Sequence, residues 1–397
     1  VFPAGVPVVY LAGGFGMSEG PSRDVSNNVF FTDRPNNRIY KWTAAGTLEV
    51  WWNASDGGNG TWMASNGDLL VCQQGLTRIA RVDMNKNVTP IVSTYRGSSF
   101  NSCNDIWEAP NGNIYFTDPN WPYGGGPQTG SFVYCVVSGT NVAIRLNTPG
   151  VLQPNGIIGT PDGKILYVND DEGKKTYRYL IQSDGSISNG TVFGNAGRDG
   201  ITLDDQGNVF VCTWNTRVIN VYNEDGQPID ALTMAVQCFN ITRFGEDLNK
   251  LFVTAASTAI YSIALIPRTV LRHDILGYTQ PGAMIAEGAP NVNFGAAAEA
   301  FVGHHASSGT VRGVYAFPLD RVPYGNIVTN AVLKLRAMRR IGTAATVTLH
   351  RVTAAFDESS VTWQNASTGT PWAPGGAYDT TPLATFVLTG TVNDTAL

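Results

Sequence analysis

The sequence predicts an all-β protein, with a six-bladed β-propeller over residues 1–268 and a smaller, jelly-roll-like β-sandwich over 275–397. Two observations carry the propeller. A short apolar run recurs six times, as VFFT (Val29–Thr32), LLVC (Leu69–Cys72), IYFT (Ile114–Thr117), YVND (Tyr167–Asp170), VFVC (Val209–Cys212) and LFVT (Leu251–Thr254). Steps of roughly 40 to 50 residues between such runs are the period of propeller blades. Charged residues make up only 14% of the chain and Gly numbers 44, against ~25% charged in an average domain, which is a turn-rich profile poor in helix. A third observation carries the sandwich. Past Arg268 the repeat stops, and the alternating stretches VRGVYAFPL, AVLKLRAM, ATVTLHRV and SVTW take over, the pattern of half-buried antiparallel strands.

In chain order, Val6–Ala12 (VPVVYLA) is an apolar strand ahead of the first repeat. Blades are expected at about 13–53, 54–100, 101–153, 154–197, 198–238 and 239–268. The sixth ends at Ile260–Ile266 (IYSIALI), which leaves no room for a fourth strand. The N-terminal strand is therefore expected to complete it, because closure removes the open sheet edge. Between inner strands stand SNGD, PNGN, PDGK, DDQG and GEDLNK, the Asn, Asp and Gly that tight turns require.

The start of each blade holds the chemistry. Counting back 13 residues from the last position of VFFT, LLVC, IYFT and VFVC reaches Glu19, Asn59, Asn104 and Asp199; in the other two copies the same count lands near Asn155 and Asn240. Each offers a side-chain oxygen, so six of them are expected to ring one end of a central channel. All four histidines, His273, His304, His305 and His350, follow the propeller. That excludes from the propeller a Ser-His-Asp triad, a histidine base and a His-ligated zinc. Oxygen ligands suit a hard cation, Ca²⁺ above all, with waters completing its shell. Glu19, Asn104, Asn155 and Asp199 are the expected ligands, and Asn59 and Asn240 the expected lining.

The segments SEGP (Ser18–Pro21), NSCNDIWEAPNGNIYFTDPNWPYG (Asn101–Gly124), PNGIIGTPDGKILYVND (Pro154–Asp170) and DGITLDDQGNVFV (Asp199–Val211) resemble the SMP-30/gluconolactonase/luciferin-regenerating family, over about 1–268 and in the same order. The resemblance implies a six-bladed propeller that hydrolyses sugar lactones with a divalent metal. It implies metal ligation by Glu19, Asn104, Asn155 and Asp199, with Asp199 as general base. Asn104, Asp118 and Tyr123, the last two in an FTDP…YG loop, are expected to face the substrate. Cys103 stands where the family usually has Pro, and Ser102 where some animal members have Arg, so substrate contacts are open. A strictosidine-synthase-like condensing enzyme is disfavoured by the absence of a propeller histidine.

The later residues GAPNVNF (Gly288–Phe294), VYAFPLDRV (Val314–Val322) and LHRVTAAFDESSVTW (Leu349–Trp363) resemble DNRLRE-type carbohydrate-binding sandwich modules. Such a module implies a polysaccharide or cell-surface partner, with Trp363 as core; these modules usually run further than Leu397. The net charge of −5 argues against nucleic acid as a partner, and no apolar run is long enough to span a membrane.

Seven N-x-S/T sequons and a chain opening on Val1 suggest a secreted, processed glycoprotein. Glycans are expected at Asn53, Asn87, Asn189, Asn365 and Asn393, and not at Asn59 or Asn240, which the blade register places in the channel. Five cysteines fit an oxidising compartment with one thiol over. The register brings Cys72 towards Cys103 and Cys212 towards Cys238, and these are the expected disulfides. The competing functional class is a non-catalytic extracellular structural or adhesive glycoprotein that uses the propeller as scaffold.

Overall fold

The structure is a computed structural model. It describes residues 1–121, 126–245, 248–256 and 258–266, and beyond these the backbone of nine short strands within 282–396. The chain divides into two compact units, Val1–Arg268 and Thr269–Leu397.

The first unit is a six-bladed propeller of four-stranded antiparallel sheets. Blade 1 holds Ser18–Arg23, Val29–Asp33, Arg38–Trp42 and Leu48–Trp52. Blade 2 holds Gly58–Met63, Leu69–Gln73, Arg78–Val82 and Val88–Val92. Blade 3 holds Ile106–Glu108, Ile114–Asp118, Phe132–Val136 and Ala143–Arg145. Blade 4 holds Pro154–Gly159, Ile165–Asp170, Lys175–Ile181 and Ile187–Gly194. Blade 5 holds Ile201–Leu203, Val209–Thr213, Val218–Tyr222 and Pro228–Thr233. Blade 6 holds Cys238–Phe244, Lys250–Ala255 and Ala259–Ala264, and Val8–Gly13 pairs with the last of these as the fourth strand, Val8 opposite Ile263. That is the closure expected from the truncated sixth repeat.

The six apolar runs are the second strands. Each lies between neighbouring strands of its own sheet and between two blades, so both faces are dry and the sequence is continuously apolar rather than alternating. Val29, Phe31, Leu70, Cys72, Phe116, Val168, Phe210 and Val253 are buried accordingly. Phe31 of blade 1 meets Phe252 of blade 6 with ring centroids 5.5 Å apart, which packs the first blade on the last. Outer strands such as Leu48–Trp52 hold only exposed and half-buried positions.

Four of the inner strands begin with a register irregularity, at Glu19/Ser22, Gly58/Thr61, Pro154/Ile157 and Cys238/Asn240. A bulge leaves one residue outside the ladder and re-aims its side chain, here at the blade position nearest the axis. The next residue is Gly in blades 1, 2, 4 and 5 because neighbouring inner strands nearly touch there. A Cβ at Gly60 would lie 2.6 Å from the Asn104 carbonyl oxygen of the next blade, and Gly20, Gly156 and Gly200 are equally crowded by Asn59, Asp199 and Asn240.

In the second unit the described strands pair antiparallel, Gly282–Ala286 and Gly303–His305 each with Gly309–Tyr315, and Ala345–Leu349 with Ala384–Leu388. The expected β-sandwich as a whole, with Trp363 and Asn393, lies outside the described residues. Asn365 starts a short strand, Asn365–Ser367.

Candidate active site

All six expected ring residues, Glu19, Asn59, Asn104, Asn155, Asp199 and Asn240, lie at the inner-strand starts and are nine-tenths or more buried. Backbone bonds fix each start. In blade 3 the Asn104 N–H donates to Thr117 O at 2.8 Å, and in blade 5 the Asp199 N–H donates to Cys212 O at 3.2 Å. The second strand of one blade also grips the ring residue of the next. Thr32 Oγ1 donates to Asn59 O at 2.9 Å, Thr117 Oγ1 to Asn155 O at 2.7 Å and Asn169 Nδ2 to Asp199 O at 2.6 Å.

The electrostatics single out the carboxylates. Burial, reinforced by the approach of Asp105, pushes the Glu19 carboxyl up to about 8, although its Oε2 accepts the Gly20 N–H. Burial and then the Glu19 charge hold Asp199 well above the usual carboxylate range. Buried acids crowded together, with Asp105 acting on Glu19 and Glu19 on Asp199, are an arrangement that a divalent cation would relieve. The amides fit the same donor set. Asn155 Nδ2 donates to the Arg198 carbonyl at 3.0 Å, leaving its Oδ1 as the end free to ligate. Among the described residues no group of three His, Cys, Asp or Glu side chains forms a metal cluster; the candidate set is instead two carboxylates and two amide oxygens, a hard-cation set.

Asp105 was not anticipated. It follows Asn104 at the position that is Gly in four other blades, and that contrast is the signal it left in the sequence. Its side chain crosses the axis, where Oδ2 accepts Asn240 Nδ2 of blade 6 at 3.3 Å, and Oδ1 accepts the Ile106 N–H at 3.0 Å. Burial pushes it up to about 6. The Asn240 amide also favours the charged form of Glu19, so Asn240 acts on both acids, as a lining residue would. Beside Asp199, Asp171 Oδ1 accepts Arg198 Nε at 2.7 Å and Trp214 Nε1 at 2.9 Å, and the guanidinium lies 4.7 Å from the Trp214 ring centre. This polar wall was also missed, because its members come from two blades.

Two expectations need correction. Asp118 is wholly buried, and its carboxylate accepts the Asn101 and Ser102 N–H groups at 3.0 and 2.8 Å. Asp33 does the same for Gly16 and Met17, and Asp170 for Leu152 and Gln153. Asp118 is thus a repeated clasp on the strand entry rather than a group turned to substrate. Asp118→Ala would leave two part-buried N–H groups without their acceptor, and a stability loss of about 1–3 kcal/mol is expected in denaturant titration, with smaller losses for Asp33→Ala, whose partner Gly16 is exposed. Tyr123 lies outside the described residues.

The second correction concerns the cysteines. All five are free, buried thiols, with neither Cys72–Cys103 nor Cys212–Cys238 bridged. The neighbours are as expected: Cys72 and Cys103 share one core cluster, and Cys212 and Cys238 another. Cys72 and Cys212 stand where Thr32, Thr117 and Thr254 stand in other blades, as small fillers against the next inner strand. Cys238 Sγ donates instead to Val218 O at 3.6 Å. Burial pushes the Cys72, Cys103 and Cys212 thiols up, away from the reactive thiolate.

The sequons separate by exposure. Asn53, Asn87 and Asn189 are exposed, whereas Asn59 and Asn240 are buried in the ring. Expression in a glycosylating host is expected to modify the first three and spare the other two. Glycopeptide mass spectrometry with a glycan at Asn59 would contradict this register.

Comparison with known proteins bears directly on this ring. Residues 17–257 match the SMP-30/Gluconolactonase/LRE-like region, which takes in every ring residue. The chain belongs to this family. A gluconolactonase of Zymomonas mobilis is 26% identical over 297 residues, covering 66% of this chain and 82% of that protein. The solved gluconolactonase of Xanthomonas campestris is 25% identical with a TM-score of 0.59, covering 66% of this chain and 90% of that one. A calcium-binding regucalcin of Agrobacterium tumefaciens, at 18% identity and a TM-score of 0.55, shares the fold over 68% of this chain and 99% of its own. The shared part is thus the propeller, and the SMP-30-like channel end with its oxygen ring falls inside it.

Proposed function

We propose that this chain is a secreted, divalent-metal-dependent hydrolase of sugar lactones, with Ca²⁺ as the working ion. The observation that carries the proposal is the pair Glu19 and Asp199, two buried carboxyls at the channel end that burial holds above their ordinary range and that a bound cation would stabilise as carboxylates. Membership in the SMP-30/gluconolactonase family and the likeness to two gluconolactonases support the reaction class.

Glu19, Asn104, Asn155 and Asp199 would hold the ion. Once bound, it supplies Lewis-acid polarisation of the lactone carbonyl and brings its carboxylate ligands to the ionised state. Asp199 then takes a proton from the attacking water. The Asp105–Asn240 hydrogen bond joins blade 3 to blade 6 within the ring and would hold both side chains in place beside the ion. The burial of all six ring residues limits the water that reaches the site. The later unit, 275–397, would serve as a polysaccharide- or surface-binding module. Proton release from a panel of sugar lactones, with and without calcium, tests the activity. Calcium-dependent turnover of at least one lactone is expected, and none would leave the scaffold alternative.

A further inference from the structure

Beside the ring, on the side of blades 1 to 3, the propeller leaves a cavity of about 400 Å³ lined by Arg34, Pro35, Gly57, Gln74, Gly75 and Ser102. Its size suits a small ligand. All six lining residues belong to the channel end that carries Glu19 and Asn104. Arg34 follows the second strand of blade 1, Gln74 and Gly75 follow that of blade 2, and Ser102 precedes the Asn104 turn.

Two of these side chains are unfinished. Gln74, held in the short 3-10 turn Gln74–Leu76, is nine-tenths buried, yet its Oε1 has no hydrogen-bond partner among the described residues. A buried acceptor left unpaired costs about 1–3 kcal/mol unless a donor arrives. Arg34 is exposed and has no carboxylate within ion-pair distance among the described residues, while Arg78, Arg81, Arg198 and Arg243 each have one. Its charge is close enough to act on the Glu19 carboxyl. Gly57 and Gly75 contribute only backbone to the wall, and a Cβ at Gly75 would lie 2.7 Å from Asp56 O, so the hollow is kept open by residues that cannot easily be enlarged.

We propose that this cavity is the substrate side-pocket of the proposed lactonase, and that it selects polyhydroxylated lactones bearing an anionic substituent. A ring opened at the metal-side carbonyl places its far end a few ångströms away. There a hydroxyl donates to Gln74 Oε1, and a carboxylate or phosphate pairs with the Arg34 guanidinium, whose planar fork matches either anion. The inference rests on the lactonase reading but adds a substrate class to it.

The test compares three probes with the full chain in calcium, by proton release corrected for spontaneous hydrolysis. They are neutral glucono-δ-lactone, carboxylate-bearing glucaro-1,4-lactone and 6-phosphoglucono-δ-lactone. The wild type is expected to favour at least one anionic probe by about tenfold or more in kcat/KM, the worth of one charge-assisted contact. Which anion is favoured identifies the source of the charge. Arg34→Gln is expected to abolish that preference while changing the neutral probe by less than about threefold, and Gln74→Leu to raise KM for all three with kcat nearly kept. Arg34 is exposed, so its variant should fold, and unchanged melting would verify this. Equal wild-type efficiency on neutral and anionic probes overturns the proposal, as does an equal loss on all three in Arg34→Gln. Failure of the wild type on every lactone instead overturns the lactonase reading itself, and this inference with it.

Discussion

Asp199→Asn is expected to lower kcat for lactone hydrolysis by about 10²–10⁴-fold, the contribution of a positioned general base, while keeping an oxygen at the ligand position. Metal affinity in this variant should fall far less than in Asp199→Ala, which removes both oxygens. The comparison separates proton transfer from ligation, which share one side chain here. Its backbone is held by the Cys212 carbonyl and by Asn169 Nδ2, so neither substitution should displace the strand start. Titration calorimetry beside steady-state kinetics reads both quantities. An Asn variant with wild-type kcat would move the base elsewhere, and Asp105 would be the next carboxylate to test.

The second large effect is a pH dependence of the metal site. The Glu19 carboxyl lies near 8 in the ion-free fold, against 4.5 ordinarily, with burial the main cause. Between those values the folded state holds the extra proton, so stability of the ion-free protein should fall as pH rises through that window. A bound cation requires the carboxylate, so saturating calcium should reverse the trend. Apparent affinity should climb by up to about tenfold per pH unit for each competing proton until about pH 8. Glu19→Gln should flatten both dependences and weaken binding. Thermal melts and calcium titrations at several pH values check this, and an affinity constant from mildly acid to mildly basic pH would contradict the coupling.

Much of the propeller is legible in the sequence because its second strands are dry on both faces. VFFT, IYFT and VFVC therefore print as uninterrupted apolar runs whose spacing is the blade period. The ring is legible for a related reason, since a fixed strand–turn–strand length ties each run to its own inner-strand start. Blade 4 shows the limit: its turn is one residue longer, with the Thr160 N–H donating to Ile165 O where the Ala64 N–H donates to Asp68 O in blade 2, and this shifts Asn155 off the count.

What crosses between blades is hidden. Asp105 reaching Asn240, Arg198 reaching Asp171 and Trp214, and Arg34 sharing a wall with Gln74 join residues far apart in sequence. Asp118 misled because a buried clasp and a substrate-facing acid look alike in one dimension. Its equivalence to Asp33 and Asp170, each closing the last turn of a run, was nonetheless there to read. The cysteines misled differently, since nearness along neighbouring strands is necessary for a bridge but packing had already used those side chains.

The metal centre itself is most directly tested by anomalous diffraction from crystals of the full chain grown with calcium. One peak is expected on the propeller axis, with oxygens of Glu19, Asn104, Asn155 and Asp199 at about 2.3–2.6 Å from it. No peak at that end of the channel at millimolar calcium, or one held by a different set of side chains, would contradict the ring of oxygens as the catalytic centre.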